Sequence, residues 1–274
     1  MAHDTSPRSR TSDRPLCFET KGAGPRVVLV HGFTQTGRSF EQIASALRAR
    51  YEVVTVDLPG HGNSTASHAK DLTDAARLLG ETGGKATYVG YSLGGRVCLH
   101  LGLERPDLIE ALVLVSATPG IKDDAARAER REKDEALAER LDPKVGPKEG
   151  LSLPEFLNEW LAGPLFAGLD AHHAGLDARL RNTPAGLADA LRTLGTGTQE
   201  PLHHRLSQLN MPVLLVAGEK DERFVAIALD MAALIGENAR AQVIAGAGHA
   251  VPFEAPDAFL EVLEAFLSSR PTSL

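Results

Sequence analysis

Six short runs of β-branched and aliphatic residues recur along the 274-residue chain, each bounded by Gly, Pro or Asp. They fall at residues 26–30, 52–56, 86–90, 112–116, 213–217 and 241–245. Near-continuous apolar runs of this length are what a parallel sheet needs when helices cover both its faces. Segments of helical periodicity lie between most of them, at 39–50, 72–80, 93–104, 221–235 and 256–267. Strand alternating with helix predicts an α/β fold, a doubly wound and mostly parallel sheet with right-handed crossovers. A shorter run at 16–20 can add an antiparallel edge strand.

One interval breaks the alternation. From 121 to about 208 only helical stretches appear: a strongly charged one at 123–141, one around Trp160 and one at 170–194. An all-helical insert of this size between two core strands reads as a lid. The expected organisation is a flexible polar leader at 1–15, a core formed by 16–120 and 209–270, and a helical lid at 121–208.

Composition narrows the class. Hydrophobic residues at 43% and charged residues at 24% are those of an ordinary globular protein able to bury its own core. A formal net charge of -7 argues against nucleic acid or an anionic membrane surface as the main partner, and leaves room for a small anionic substrate in a locally basic pocket. No apolar stretch is long enough to span a bilayer. The two cysteines, Cys17 and Cys98, lack zinc-site spacing, and the histidine pairs His172/His173 and His203/His204 lack convergent metal spacing. The expectation is a cytoplasmic monomer that needs neither metal nor cofactor.

Gly90-Tyr91-Ser92-Leu93-Gly94 is the strongest chemical signal. Gly-x-Ser-x-Gly alone is weak, since average usage yields it by chance in about one chain in ten of this length. Here it follows an apolar strand and opens a helix, the setting of a nucleophile elbow, where small neighbours permit a sharp turn that exposes the serine hydroxyl. A hydroxyl needs a base, and the base needs an acid to fix its tautomer. His249, in Gly-Ala-Gly-His-Ala, follows the last strand, and Asp221 follows the strand at 213–217. Glu219 and Glu222 are alternatives to Asp221. The chain order Ser, Asp, His is the one this fold uses. An oxyanion hole would take the backbone N–H groups of Leu93 and of Phe33, the latter in His31-Gly32-Phe33 after the first long strand. His31 and the segment 57–64 read as turn residues. From the residues alone, Arg96, one helical turn past Ser92, can share the elbow's pocket-facing side. The commoner reading of Arg96, Arg127, Arg130, Arg131 and Arg181 is solvated charges, and of Trp160 a packing anchor.

The chain resembles the α/β-hydrolase superfamily and, within it, the 2-succinyl-6-hydroxy-2,4-cyclohexadiene-1-carboxylate synthases of menaquinone biosynthesis. The motifs are HGFTQTGRSF at 31–40, VDLPGHGNS at 56–64, VGYSLGGRV at 89–97, RAERREKDEALAERL at 127–141, FLNEWLAGPLFAGL at 156–169 and GEKDERF at 218–224. Such enzymes are lyases that abstract a proton and expel pyruvate from 2-succinyl-5-enolpyruvyl-6-hydroxy-3-cyclohexene-1-carboxylate, a substrate carrying several carboxylates. The resemblance implies that Arg96, Arg130 and Arg181 bind those carboxylates, and that Tyr91 and Trp160 line the pocket. Guanidinium forks suit that work. The competing reading is a serine esterase using the same triad through an acyl-enzyme, which would have no need of three cations. A non-catalytic relative would normally show a broken triad. Haloalkane dehalogenation would need an aspartate where Ser92 stands.

Overall fold

The computed structural model describes residues 15–142, 151–170 and 173–269, and the expected leader at 1–14 lies outside them. The strands are β1 (Phe18–Lys21), β2 (Arg26–Val30), β3 (Glu52–Val56), β4 (Ala86–Tyr91), β5 (Ile109–Val115), β6 (Val213–Gly218) and β7 (Ala239–Ile244). They form one sheet in the order β1-β3-β2-β4-β5-β6-β7. All neighbours are parallel except β1, which runs antiparallel to β3 at the edge. All six expected runs became strands; the central ones bury both faces, as every residue of β4 and β6 does, while the edge strand β7 buries only Ile244.

Side chains alternating along the strands feed two cores. On one face α2 (Leu72–Gly83), α3 (Leu93–Glu104) and α8 (Glu222–Ile235) pack over Val28, Tyr88, Leu112 and Leu215. On the other, α1 (Glu41–Leu47), α9 (Val251–Glu254) and α10 (Pro256–Ser268) pack over Val27, Val89, Val113 and Val216. The expected helix at 39–50 opens instead with a 3-10 turn, Gly37–Phe40, before α1 begins.

Between β5 and β6 lie α4 (Asp124–Leu141), α5 (Leu153–Leu161), α6 (Leu176–Arg179) and α7 (Pro184–Leu194). Their apolar faces make a third core of Ala138, Leu141, Phe156, Leu157, Leu187 and Leu191, against which Phe33 and Trp160 pack. The stretch expected as one helix at 170–194 is two. Thr183 caps α7 by accepting the Gly186 N–H, and Pro184 follows at its first position, so the chain restarts there. Among the described residues no helix is long and apolar enough to cross a membrane.

Candidate active site

The chain reverses its direction of sheet building at β2, which is flanked by β3 on one side and β4 on the other. The crevice at the carboxyl ends of such strands is where open α/β sheets bind ligands. Ser92 stands there, between β4 and α3, with φ 51 and ψ −108. This is the left-handed side of backbone space, disfavoured for a residue with a Cβ. Two glycines make the bend possible. A Cβ on Gly94 would stand 2.1 Å from the Val30 carbonyl oxygen, and one on Gly90 would stand 2.5 Å from that of Gly94. The Ser92 N–H donates to the Val115 carbonyl at 2.8 Å, which ties the elbow to β5.

His249 Nε2 lies 3.2 Å from Ser92 Oγ, and its Nδ1 lies 2.8 Å from Asp221 Oδ2. With the proton on Nδ1, the imidazole donates to the carboxylate and Nε2 accepts the serine hydroxyl. Asp221 also caps α8, accepting the Phe224 N–H at 3.2 Å. Of its rivals, Glu219 accepts the Gly246 N–H at 2.8 Å, and Glu222 is exposed on the first turn of α8. His249 is 3% exposed. The Phe224 ring meets its ring edge-on at 4.6 Å, and the Ser116 hydroxyl donates to its carbonyl at 2.8 Å. Glu254 holds the surrounding loop: the Gly248 and Ala250 N–H groups donate to its two oxygens at 2.7 and 2.8 Å.

A cavity opens above Ser92 and His249, with Phe33 and Leu93 in its wall. Neither the Phe33 nor the Leu93 N–H has an acceptor among the described residues. Two free amides beside a serine–histidine pair can stabilise an oxygen that gains negative charge. The loop bearing Phe33 is pinned from two sides. Gln35 Oε1 accepts the Gly32 N–H at 3.0 Å. Asn182 Nδ2 donates to the Thr34 carbonyl at 2.6 Å, while its Oδ1 accepts the Gly62 N–H at 2.8 Å. The turn histidines behind this loop are buried structural groups. His31 Nε2 accepts the Leu58 N–H at 3.0 Å, and His61 Nδ1 lies 3.0 Å from the Pro59 carbonyl.

Arg96 reaches the same cavity from α3 while only 7% exposed. Its contacts, to the Gly195 carbonyl at 3.4 Å and Gln199 Oε1 at 3.5 Å, are long, so most of its donors are uncommitted among the described residues. Burial, with the nearby Arg130 charge, pushes its pKa down to about 9 against the pull of Asp134. It is a cation at neutral pH. Arg130, on α4, also lines the cavity and donates to Asp134 at 2.8 Å. Asp134 is itself 4% exposed and accepts the Gly197 N–H at 3.1 Å. Trp160 lines the cavity against Phe33, and its buried indole N–H has no acceptor among the described residues.

Two expected pocket residues stand elsewhere. Arg181 is exposed and borders shallow hollows beside Glu19, Arg38 and Asp57, away from Ser92. Arg179, two residues earlier, turns inward instead: it is 1% exposed and donates to Thr34 Oγ1 and to the Ala174 carbonyl. Positions two apart on a helical turn face opposite ways, which is why only one of them points inward. Tyr91 does not line the cavity. It follows strand alternation with Val89 onto the far face, where its ring lies 5.5 Å from Phe253 and 5.7 Å from His249. Burial pushes its phenol well above the usual range.

The sequence reading missed Arg223, which lines the cavity two residues past Asp221, as well as Asp134, Asn182 and Glu254. Arg223 sits in GEKDERF, where a cation beside the triad acid could have drawn notice. The others do their work through backbone contacts that spacing does not encode. Among the described residues no group of His, Cys, Asp or Glu is placed to hold a metal ion.

A family model described as the alpha/beta hydrolase fold matches residues 25–256. A Salmonella agona protein named 2-succinyl-6-hydroxy-2,4-cyclohexadiene-1-carboxylate synthase is 32% identical over 252 residues, covering 89% of this chain and 94% of its own. The structure of MenH from S. aureus superposes with a TM-score of 0.81 at 33% identity, covering 92% of this chain and 97% of that one. An E-2-(acetamidomethylene)succinate hydrolase superposes with a TM-score of 0.70 at 25% identity, over 93% of this chain and 95% of that one.

Proposed function

We propose a function from one premise: this chain belongs to the α/β-hydrolase family and, within it, to the 2-succinyl-6-hydroxy-2,4-cyclohexadiene-1-carboxylate synthases. It is a carbon–oxygen lyase, converting 2-succinyl-5-enolpyruvyl-6-hydroxy-3-cyclohexene-1-carboxylate into that product and pyruvate. Substrate and product together dictate the electron flow. The ring proton at C2, next to the succinyl ketone, is removed; C2=C3 forms, C3=C4 shifts to C4=C5, and the C5–O bond breaks. Enolpyruvate leaves and takes up a proton to become pyruvate.

That reaction needs a base at C2 and a stabiliser for the ketone oxygen as it becomes enolate-like. In our reading Ser92, deprotonated through His249, removes the proton, and Asp221 stabilises the resulting imidazolium. The Phe33 and Leu93 amides hold the oxygen. Arg96 and Arg130 receive substrate carboxylates, and the Trp160 N–H offers a further contact. The single observation that carries the reading is the pairing of an intact Ser92–His249–Asp221 geometry with a buried, uncommitted Arg96 in one cavity. The two unpaired thiols, Cys17 and Cys98, fit a reducing, cytoplasmic setting.

Whether Ser92 acts as base or nucleophile is tested with substrate deuterated at C2. A primary isotope effect on single-turnover pyruvate release, with no covalent adduct on Ser92 by intact-mass measurement during turnover, is the expected result. An acyl adduct would overturn the base role and point to the esterase chemistry of other family members.

A further inference from the structure

The cavity above Ser92 carries more positive charge than proton transfer requires. Arg96, Arg130 and Arg223 all line it, and among the described residues Asp134 is the one carboxylate in its wall. Asp134 is committed to Arg130 and the Gly197 N–H. Arg223 differs from most other arginines on the surface of this chain. Arg77, Arg105, Arg127, Arg192 and Arg205 each close an ion pair with a nearby Asp or Glu. Arg223 forms none among the described residues; its guanidinium carbon lies 5.9 Å from the Phe224 ring centroid. It is nevertheless anchored close to the chemistry. It belongs to the first turn of α8, between the Asp221 that orients His249 and the Phe224 ring that packs on that imidazole.

We infer that Arg223 is a specificity-determining substrate contact: its guanidinium receives a carboxylate at the His249 side of the cavity mouth, as the third cation of a site built for a tricarboxylate. The inference rests on the lyase reading, whose substrate carries three carboxylates: one on the ring, one on the succinyl arm and one on the enolpyruvyl group. Arg96 is buried and Arg130 half-neutralised by Asp134, so neither supplies a free, solvent-facing cation at the mouth. Arg223 does, and an exposed guanidinium there both draws in a polyanion and fixes one of its ends. Because it is solvent-facing, its contribution falls with salt.

The test compares wild type with Arg223→Gln and Arg223→Lys. With the tricarboxylate substrate, Arg223→Gln raises KM by about five- to twentyfold, with the smaller part of the loss in kcat, while Arg223→Lys recovers at least half of the affinity lost. Raising sodium chloride from low to high concentration increases KM more steeply for wild type than for Arg223→Gln. A KM within twofold of wild type, or parallel salt curves, would overturn the inference. A second readout separates this from the lyase reading. Calorimetric titration with tricarballylate, a simple tricarboxylate, requires no turnover. Binding to wild type that weakens at least fivefold in Arg223→Gln supports the contact even if no pyruvate is ever released. No binding to wild type, or equal affinities, overturns it.

Discussion

Glu254 brackets His249: its two carboxylate oxygens accept the amide N–H groups of the residues on either side, Gly248 at 2.7 Å and Ala250 at 2.8 Å. If His249 is the base, as proposed, it is only as well placed as the loop that carries it. Glu254→Gln replaces one acceptor with an NH2 group that must face an N–H, so one amide loses its partner. The expected result is a kcat lowered on the order of tenfold or more, with KM changed far less, and a stability loss of about 1–3 kcal/mol. Steady-state kinetics with urea unfolding checks both, and an unchanged kcat would show that the clamp does not position His249.

Arg96→Ala should remove a buried cation from the cavity proposed to bind substrate carboxylates. Loss of a charge-assisted contact in such a place is on the order of 2–5 kcal/mol in kcat/KM, a drop of about 30- to 5000-fold. The comparison substrate is a neutral p-nitrophenyl ester, for which any turnover should fall much less. Equal losses on both would make Arg96 a structural group.

Arg179 and Arg181 should behave oppositely. Arg179→Ala removes the donor to Thr34 and Ala174 and loosens the loop that carries the Phe33 N–H. A stability loss of about 2–4 kcal/mol is expected, together with lower activity. Arg181→Ala, at an exposed site, should stay within about 0.5 kcal/mol of wild type with unchanged kinetics. A strong activity loss in Arg181→Ala with normal stability would restore it to the substrate site.

That pair shows where sequence reading stops. Central strand positions were legible because near-continuous apolar runs such as those of β4 and β6 are buried on both faces. The convergence of Ser92, His249 and Asp221 was legible because each falls at a strand's carboxyl end, in the chain order the fold requires. The inward arginine was not. It depends on the rotational phase of a four-residue helix, Leu176–Arg179, in a segment that reads as continuous until Pro184 restarts the chain. Tyr91 was misplaced for a related reason: it neighbours Ser92 in sequence, yet belongs to the strand and obeys its alternation. Arg223 lies within the GEKDERF motif, but nothing in that string shows which way its side chain turns. Only the folded α8 brings it over the same cavity as Arg96 and Arg130.

Acid should destabilise the fold through three buried histidines. Burial pushes His31 down to about 4, helped by Arg179. It pushes His61 to about 3, with His31 adding repulsion, and His100 to about 4, with Arg96 adding more. In the unfolded chain each titrates near 6.5. Between pH 6.5 and about 4 the unfolded state therefore binds up to three more protons. The stability they contribute is fully present above 6.5 and is lost as pH falls, by up to about 4 kcal/mol per unit. Urea midpoints at pH 7.5 and 5.5 check this, and identical midpoints would contradict it. His100→Gln should flatten the slope, since its Nδ1 contact to Thr73 is a long 3.3 Å and its Nε2 has no partner among the described residues.

The most direct measurement is pyruvate release from 2-succinyl-5-enolpyruvyl-6-hydroxy-3-cyclohexene-1-carboxylate by wild type and Ser92→Ala, with a short-chain p-nitrophenyl ester run in parallel. The account predicts rapid pyruvate formation by wild type, little ester cleavage, and a loss on the order of 10⁴-fold or more in a folded Ser92→Ala variant. Ester cleavage without pyruvate release, or pyruvate release that survives Ser92→Ala, would contradict it.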